Sequence, residues 1–193
     1  PQVQRYLRTR SYRFGKLGEW LQDPAAHPDW NLQAGKHCGG SAYNTAPFQL
    51  PTSGYVGFLW DDSFKFGERH QGIDIFGGTE VGVTPVLAAY DGYLTRSPGW
   101  KSTVVIRVPD DPLQPGRQIW LYYTHMATAD GRGLIVETFP PGTSEAFVQA
   151  GTLLGYQGNY SGDPGSPTGV HLHFSIVLDD GSGFLRNELN IHN

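Results

Sequence analysis

Two short patterns in the 193-residue chain carry the residue types that bind divalent metals: His70-Gln-Gly-Ile-Asp74 and His171-Leu-His173. A His and an Asp four apart would share one face of a helix, but Gly72, Ile73, Ile75 and the Gly77-Gly78 pair speak for a strand. Strand positions i and i+4 also share a face, so His70 and Asp74 are expected to project together, with Gly72 leaving a shallow gap between them. His171 and His173 should likewise share a face while Leu172 and Phe174 turn to the core. Neighbouring strands that present His/Asp and His/His on one side supply the donors zinc prefers, and three protein ligands with an open fourth position is the catalytic arrangement. Each pattern alone is weak, because a lone histidine is ordinarily an exposed or hydrogen-bonded side chain. Together, and with a further isolated histidine in Tyr123-Thr124-His125-Met126, they favour a metal centre.

The elements that would position these residues read as strands from Pro47 onward. Val83–Tyr90 and Tyr93–Arg96 flank Asp91-Gly92, a two-residue hairpin signal. Thr103–Val108, Ile119–Thr124, Thr152–Tyr156 and Val170–Leu178 complete five or six strands with almost no helical period. The expectation is an all-β fold, an antiparallel sheet or rolled β-sandwich. Ala127–Ala150 and Gln157–Gly169 resist strand assignment and are expected to be groove-forming loops. Residues 1–46 differ: Arg5, Arg8, Arg10, Arg13 and Lys16 cluster there, and a short helix over Leu17–Gln22 should stop at Pro24. This part reads as an N-terminal arm wrapping a domain at 47–193, with a cell-surface contact as the alternative.

Composition supports a turn-rich globule, with Gly 26, Pro 14, 13% aromatic and only 17% charged residues, a balance unlike that of disorder. A net charge of −4 excludes a general nucleic-acid binder. No run of 18 apolar residues offers a membrane span. The chain opens at Pro1 without an apolar leader, which reads as a mature or trimmed fragment, and Cys38 has no cysteine to pair with. Asp61-Asp62, Asp110-Asp111 and Asp179-Asp180 read as solvated turns in preference to a calcium site. Among Trp60, Trp100, Trp120, Tyr156 and Tyr160, packing and turn roles outweigh a groove, Tyr160 in its glycine-rich loop being the best groove candidate.

Taken in order, HQGIDI, TPVLAAYDGYL, LYYTHMA, AGTLLGYQGN and TGVHLHFSI resemble the lysostaphin-type (LytM-like) zinc endopeptidases that cut peptide cross-bridges of bacterial cell walls. The resemblance spans roughly Pro47 to Leu178. It implies a zinc ion held by His70, Asp74 and His173, with His125 and His171 as unliganded catalytic histidines. Three departures stand out. Met126 replaces a usual leucine, and the loop Gln157–Gly169 is longer than in many members. Phe64 stands six before His70, where some members carry a tyrosine that stabilises the transition state; that role is absent or falls to another residue such as Tyr55 or Tyr123.

No HExxH glutamate is present to act as base, so the resemblance implies that histidines do the acid–base work beside the metal. Tyr160 and Tyr123 are the candidate substrate contacts. The implied substrate is a cross-bridge or stem peptide of peptidoglycan, and the implied location is extracellular, in the cell wall or periplasm, with a monomer favoured. Two rival readings remain: an inactive domain of the same fold that binds cell wall or activates another hydrolase, and a zinc peptidase acting on protein substrates.

Overall fold

The computed structural model describes residues 13, 15–36, 46–62 and 70–183. Among these are nine strands: β1 (Tyr55–Phe58), β2 (Ile73–Phe76), β3 (Pro85–Leu87), β4 (Gly92–Thr95), β5 (Val104–Val108), β6 (Ile119–Thr124), β7 (Ala146–Val148), β8 (Leu153–Tyr156) and β9 (Leu172–Leu178). Seven form one antiparallel sheet in the order β1-β2-β9-β6-β5-β4-β7, and β3 pairs with β8 in a second, two-stranded sheet. The fold is all-β, and residues 15–22 are helical.

The main core is built from one face of the large sheet together with the small sheet. Leu94, Val104, Ile106, Leu121, Tyr123, Leu172 and Phe174 meet Val86 and Leu154 there. Alternation explains β5 and β9, whose inward residues are branched or aromatic. β6 is buried at all six positions because Trp120 and Tyr122 pack on the opposite face with Val105, Trp100 and Val177. The β9 alternation matches the sequence expectation: Leu172 and Phe174 enter the core, so His171 and His173 lie on the other side.

The Asp91-Gly92 hairpin is overturned. β3 and β4, on either side of it, belong to different sheets, and β4 pairs with β5 and β7. The Asp91 carboxylate instead accepts the Ala150 N–H at 2.7 Å, and a side chain on Gly92 would meet the Arg107 carbonyl at 2.5 Å. That dipeptide is selected by a sheet switch and a close strand contact. β7, inside the stretch expected to be a loop, is short and exposed at Phe147 (59%), so it lacks the apolar run that marks a strand.

In each of the three acidic pairs one carboxylate is held by protein partners, in place of the solvated turns expected. Asp111 is 2% exposed, accepts the Leu113 N–H and pairs with Arg117. Asp62 is 9% exposed and pairs with Arg13. Asp179 accepts from Gln118 and from the Trp120 indole.

Residues 15–22 turn Leu17 and Trp20 inward, where they pack with Phe58 and Phe76 from β1 and β2. The helical stretch stops before Pro24, as expected, and Asp23 caps the 3₁₀ turn that follows by accepting the Ala26 N–H. His37, Cys38, Phe64 and His192 lie outside the described residues.

Tyr123, a candidate substrate contact, is a core residue. It is fully buried, and its phenol oxygen accepts the Ala89 N–H at 2.9 Å. Tyr123→Phe should therefore lower stability by about 1–3 kcal/mol, the cost of leaving a buried donor unpaired. Denaturant unfolding should show a lower midpoint with an unchanged slope, and an unchanged midpoint would contradict the assignment.

Candidate metal centre

Three strands bring the candidate ligands together. Asp74 of β2 sits directly across from His173 of β9, and His173 also faces Thr124, the last residue of β6. Antiparallel pairing thus sets Asp74 and His173 as cross-strand neighbours on one face. His70 arrives differently from the sequence expectation. It precedes β2, so it does not share a strand face with Asp74 by alternation. The turn at residues 59–62 holds it instead: the Asp61 N–H donates to the His70 carbonyl at 2.8 Å, and His70 Nδ1 donates to the Leu59 carbonyl at 2.9 Å.

The result is a triangle of donor atoms. His70 Nε2 lies 2.9 Å from His173 Nδ1 and 3.0 Å from Asp74 Oδ1, and His173 Nδ1 lies 3.0 Å from the same oxygen. Among the described residues, these three form the group of acidic, His or Cys side chains able to hold a metal ion. A tetrahedral zinc with ~2.0–2.1 Å bonds separates its ligands by about 3.3 Å, so the triangle needs only a slight opening to fit. Two imidazoles and one carboxylate also match zinc chemically. Gly72 does not leave an open gap. The His173 ring fills it, since a Cβ there would meet His173 Nε2 at 2.8 Å.

Charge balance in the triangle follows from burial and pairing. Burial would raise the Asp74 carboxyl, but the charge of His171 and hydrogen bonds from His173 and His70 hold it well below its usual range. Burial opposes charge on His70, and the Asp74 contact outweighs it, so that imidazole is raised. For His173, burial wins and its pKa is lowered.

His125 and His171 stand next to this triangle. Their ring centres are 4.5 Å apart, His125 is 6.1 Å from the His173 ring, and His171 Nε2 is 3.6 Å from Asp74 Oδ1. Each is fixed by a backbone carbonyl: His125 Nδ1 donates to Tyr160 and His171 Nδ1 to Gly169. The loop 157–169 thus holds both rings. A neutral ring bonded this way keeps its lone pair on Nε2. Burial, then the charges of His171 and His173, push His125 down to about 3. His125 also adopts φ 71°, a left-handed conformation uncommon outside glycine and found at functional sites. Gly158 allows the loop to press this close, since its Cβ would lie 2.1 Å from the Ala127 carbonyl.

Tyr160 acts here through its backbone. Its side chain is 2% exposed and its hydroxyl donates to the Gly162 carbonyl, so the phenol does not offer the groove contact expected of it. Tyr55 packs against Trp20 and Trp30. The tyrosine beside the site is Tyr122, whose ring lies 6.0 Å from that of His173 and whose phenol burial pushes up to about 12. Sequence reasoning missed it because it reads as one more aromatic of β6. The carbonyls of Leu59, Tyr160 and Gly169 leave no sequence signal at all, since every residue has one.

No protein-family model and no curated protein matches the chain. Among solved structures, Csd3 of Helicobacter pylori shares 18% identity over 68% of this chain, with a TM-score of 0.44, and this chain spans 31% of its length. The catalytic domain of the antimicrobial peptidase lysostaphin from Staphylococcus simulans shares 21% identity over 67% of this chain and 82% of its own, at TM-score 0.42. The catalytic domain of the prophage-encoded M23 protein EnpA from Enterococcus faecalis shares 21% over 78% and 92%, at 0.45.

Proposed function

We propose that the protein is a zinc-dependent endopeptidase acting on cross-bridge or stem peptides of peptidoglycan, outside the cytoplasm, in the cell wall or periplasm. The observation that carries this reading is the 2.9–3.0 Å donor triangle with two carbonyl-anchored histidines beside it. A purely structural role for the triangle would not call for two further imidazoles beside it, each anchored at Nδ1 by a backbone carbonyl. The ordered sequence motifs add the substrate class. In this reading residues 1–46 form an arm on a catalytic domain at 47–193. No helix of the described residues is long and apolar enough to cross a membrane.

His70, Asp74 and His173 would hold the ion. Zinc, when bound, supplies Lewis acidity toward a peptide carbonyl and toward water. The chain's own part is proton handling and order. His125 or His171 takes a proton from the attacking water at Nε2 and returns it to the amine as the C–N bond breaks. The loop carbonyls keep both rings in the tautomer that can do so. Phe76 stacks on His171 at 5.0 Å and limits its rotation.

The test is hydrolysis of purified muropeptides by zinc-loaded protein, with products identified by mass spectrometry. New amine and carboxyl ends at a peptide bond are expected. Zinc uptake without cleavage of any muropeptide, but with binding to cell wall, would favour an inactive binding domain; cleavage of proteins alone would move the substrate class.

A further inference from the structure

We infer that Arg13 and Asp62 are positioning residues for the metal centre, tying zinc affinity to the N-terminal segment. The inference rests on zinc being held at His70. The connection is continuous. Arg13 pairs with the Asp62 carboxylate. The same carboxylate oxygen accepts the Leu59 N–H at 2.8 Å, and the Asp62 N–H donates back to the Leu59 carbonyl at 3.1 Å. That carbonyl receives His70 Nδ1, and Asp61, the residue before Asp62, donates to the His70 carbonyl. Ring and backbone of one ligand are thus both gripped by a four-residue turn that Asp62 closes and Arg13 holds. Asp61 sits at φ 66° in this turn, a conformation that needs surrounding bonds to persist.

A second route runs through packing. Leu17 and Trp20 cover Phe58 and Phe76. Phe58 meets the His70 ring edge-on at 6.2 Å, and Phe76 stacks on His171. Gly57 admits this contact, since a Cβ there would lie 2.5 Å from Phe76 and 3.0 Å from Leu17. Hydrogen bonds and packing from Arg13, Leu17 and Trp20 therefore converge on the side of the centre where His70 enters. Partners that orient a ligand histidine typically contribute ~10–100-fold to metal affinity.

The test uses the full chain and zinc alone, titrated against a chromophoric chelator, with the melting temperature of each metal-free protein measured alongside. Asp62→Ala should weaken zinc binding about 10–100-fold. Asp62→Asn, which keeps an acceptor for the Leu59 N–H, should recover most of it. Arg13→Ala should weaken binding by less, and the double variant should be no worse than Asp62→Ala. Asp111→Ala removes a buried carboxylate that pairs with Arg117 away from the centre and should lower the melting temperature while leaving zinc affinity within about twofold. Wild-type affinity in Asp62→Ala overturns the inference, as does an equal loss in Asp111→Ala. Should Asp62→Ala not fold, unchanged affinity in Arg13→Ala overturns it. Wild-type protein that binds no zinc would defeat the metal reading itself.

Discussion

His70→Ala should purify without zinc and without peptidase activity. Two ligands remain after the substitution, one of them the carboxylate whose charge the imidazoles had balanced. The expected loss of affinity exceeds the ~10–100-fold that removal of an outer partner costs. Folding should suffer little. His70 lies outside the main core, and its loss removes a bond to the Leu59 carbonyl worth about 1 kcal/mol. Atomic absorption and turnover on the same preparation decide the matter. Full zinc content with unchanged turnover would remove His70 from the centre and with it the proposed function.

The second large effect separates proton handling from metal binding. His125→Ala and His171→Ala should each retain zinc yet lose ~10²–10⁴ in kcat, the usual contribution of a general acid–base group. Neither ring belongs to the donor triangle, although both stand beside it. Burial and neighbouring charge push the His125 imidazole down, leaving its Nε2 unprotonated beside the triangle. The double variant should be hardly worse than the worse single one, since groups that act as a unit are not additive. His27, stacked on Trp30 at 3.8 Å, is a control and should be near neutral on substitution, as should His37 and His192. Zinc lost together with activity in His125→Ala would make that residue a ligand. Full activity in both single variants would end the case for histidine catalysis.

The paired motifs were legible through their donor types, which pointed to one chemistry, although His70 reaches the centre through a turn and not by alternation. The first residues of β9 alternate, so the placement of His171 and His173 opposite Leu172 and Phe174 could be read from residue types alone. β6 was legible as an aromatic and branched run, its limits coinciding with Ile119–Thr124. By contrast, β1 and β7 are only four and three residues long, too short to show a period. The same brevity hid the sheet switch at Asp91-Gly92, where local turn preference pointed to a hairpin and long-range pairing with β8 and β7 prevailed.

What the chain by itself determined is therefore the inventory: an all-β domain, the donor types, and their order along the chain. Those follow from side-chain chemistry and short-range alternation, which are local properties. Tertiary structure alone decided how His70 reaches the centre, why Tyr123 and Tyr160 are buried, and which carbonyls set the histidine tautomers. Backbone carbonyls are identical at every residue, so which of them meets the His70 and His125 imidazoles depends on contacts between segments 11 and 35 residues apart, whereas the Gly169 carbonyl is local to His171. Local patterning cannot encode that selection; only the packed chain makes it.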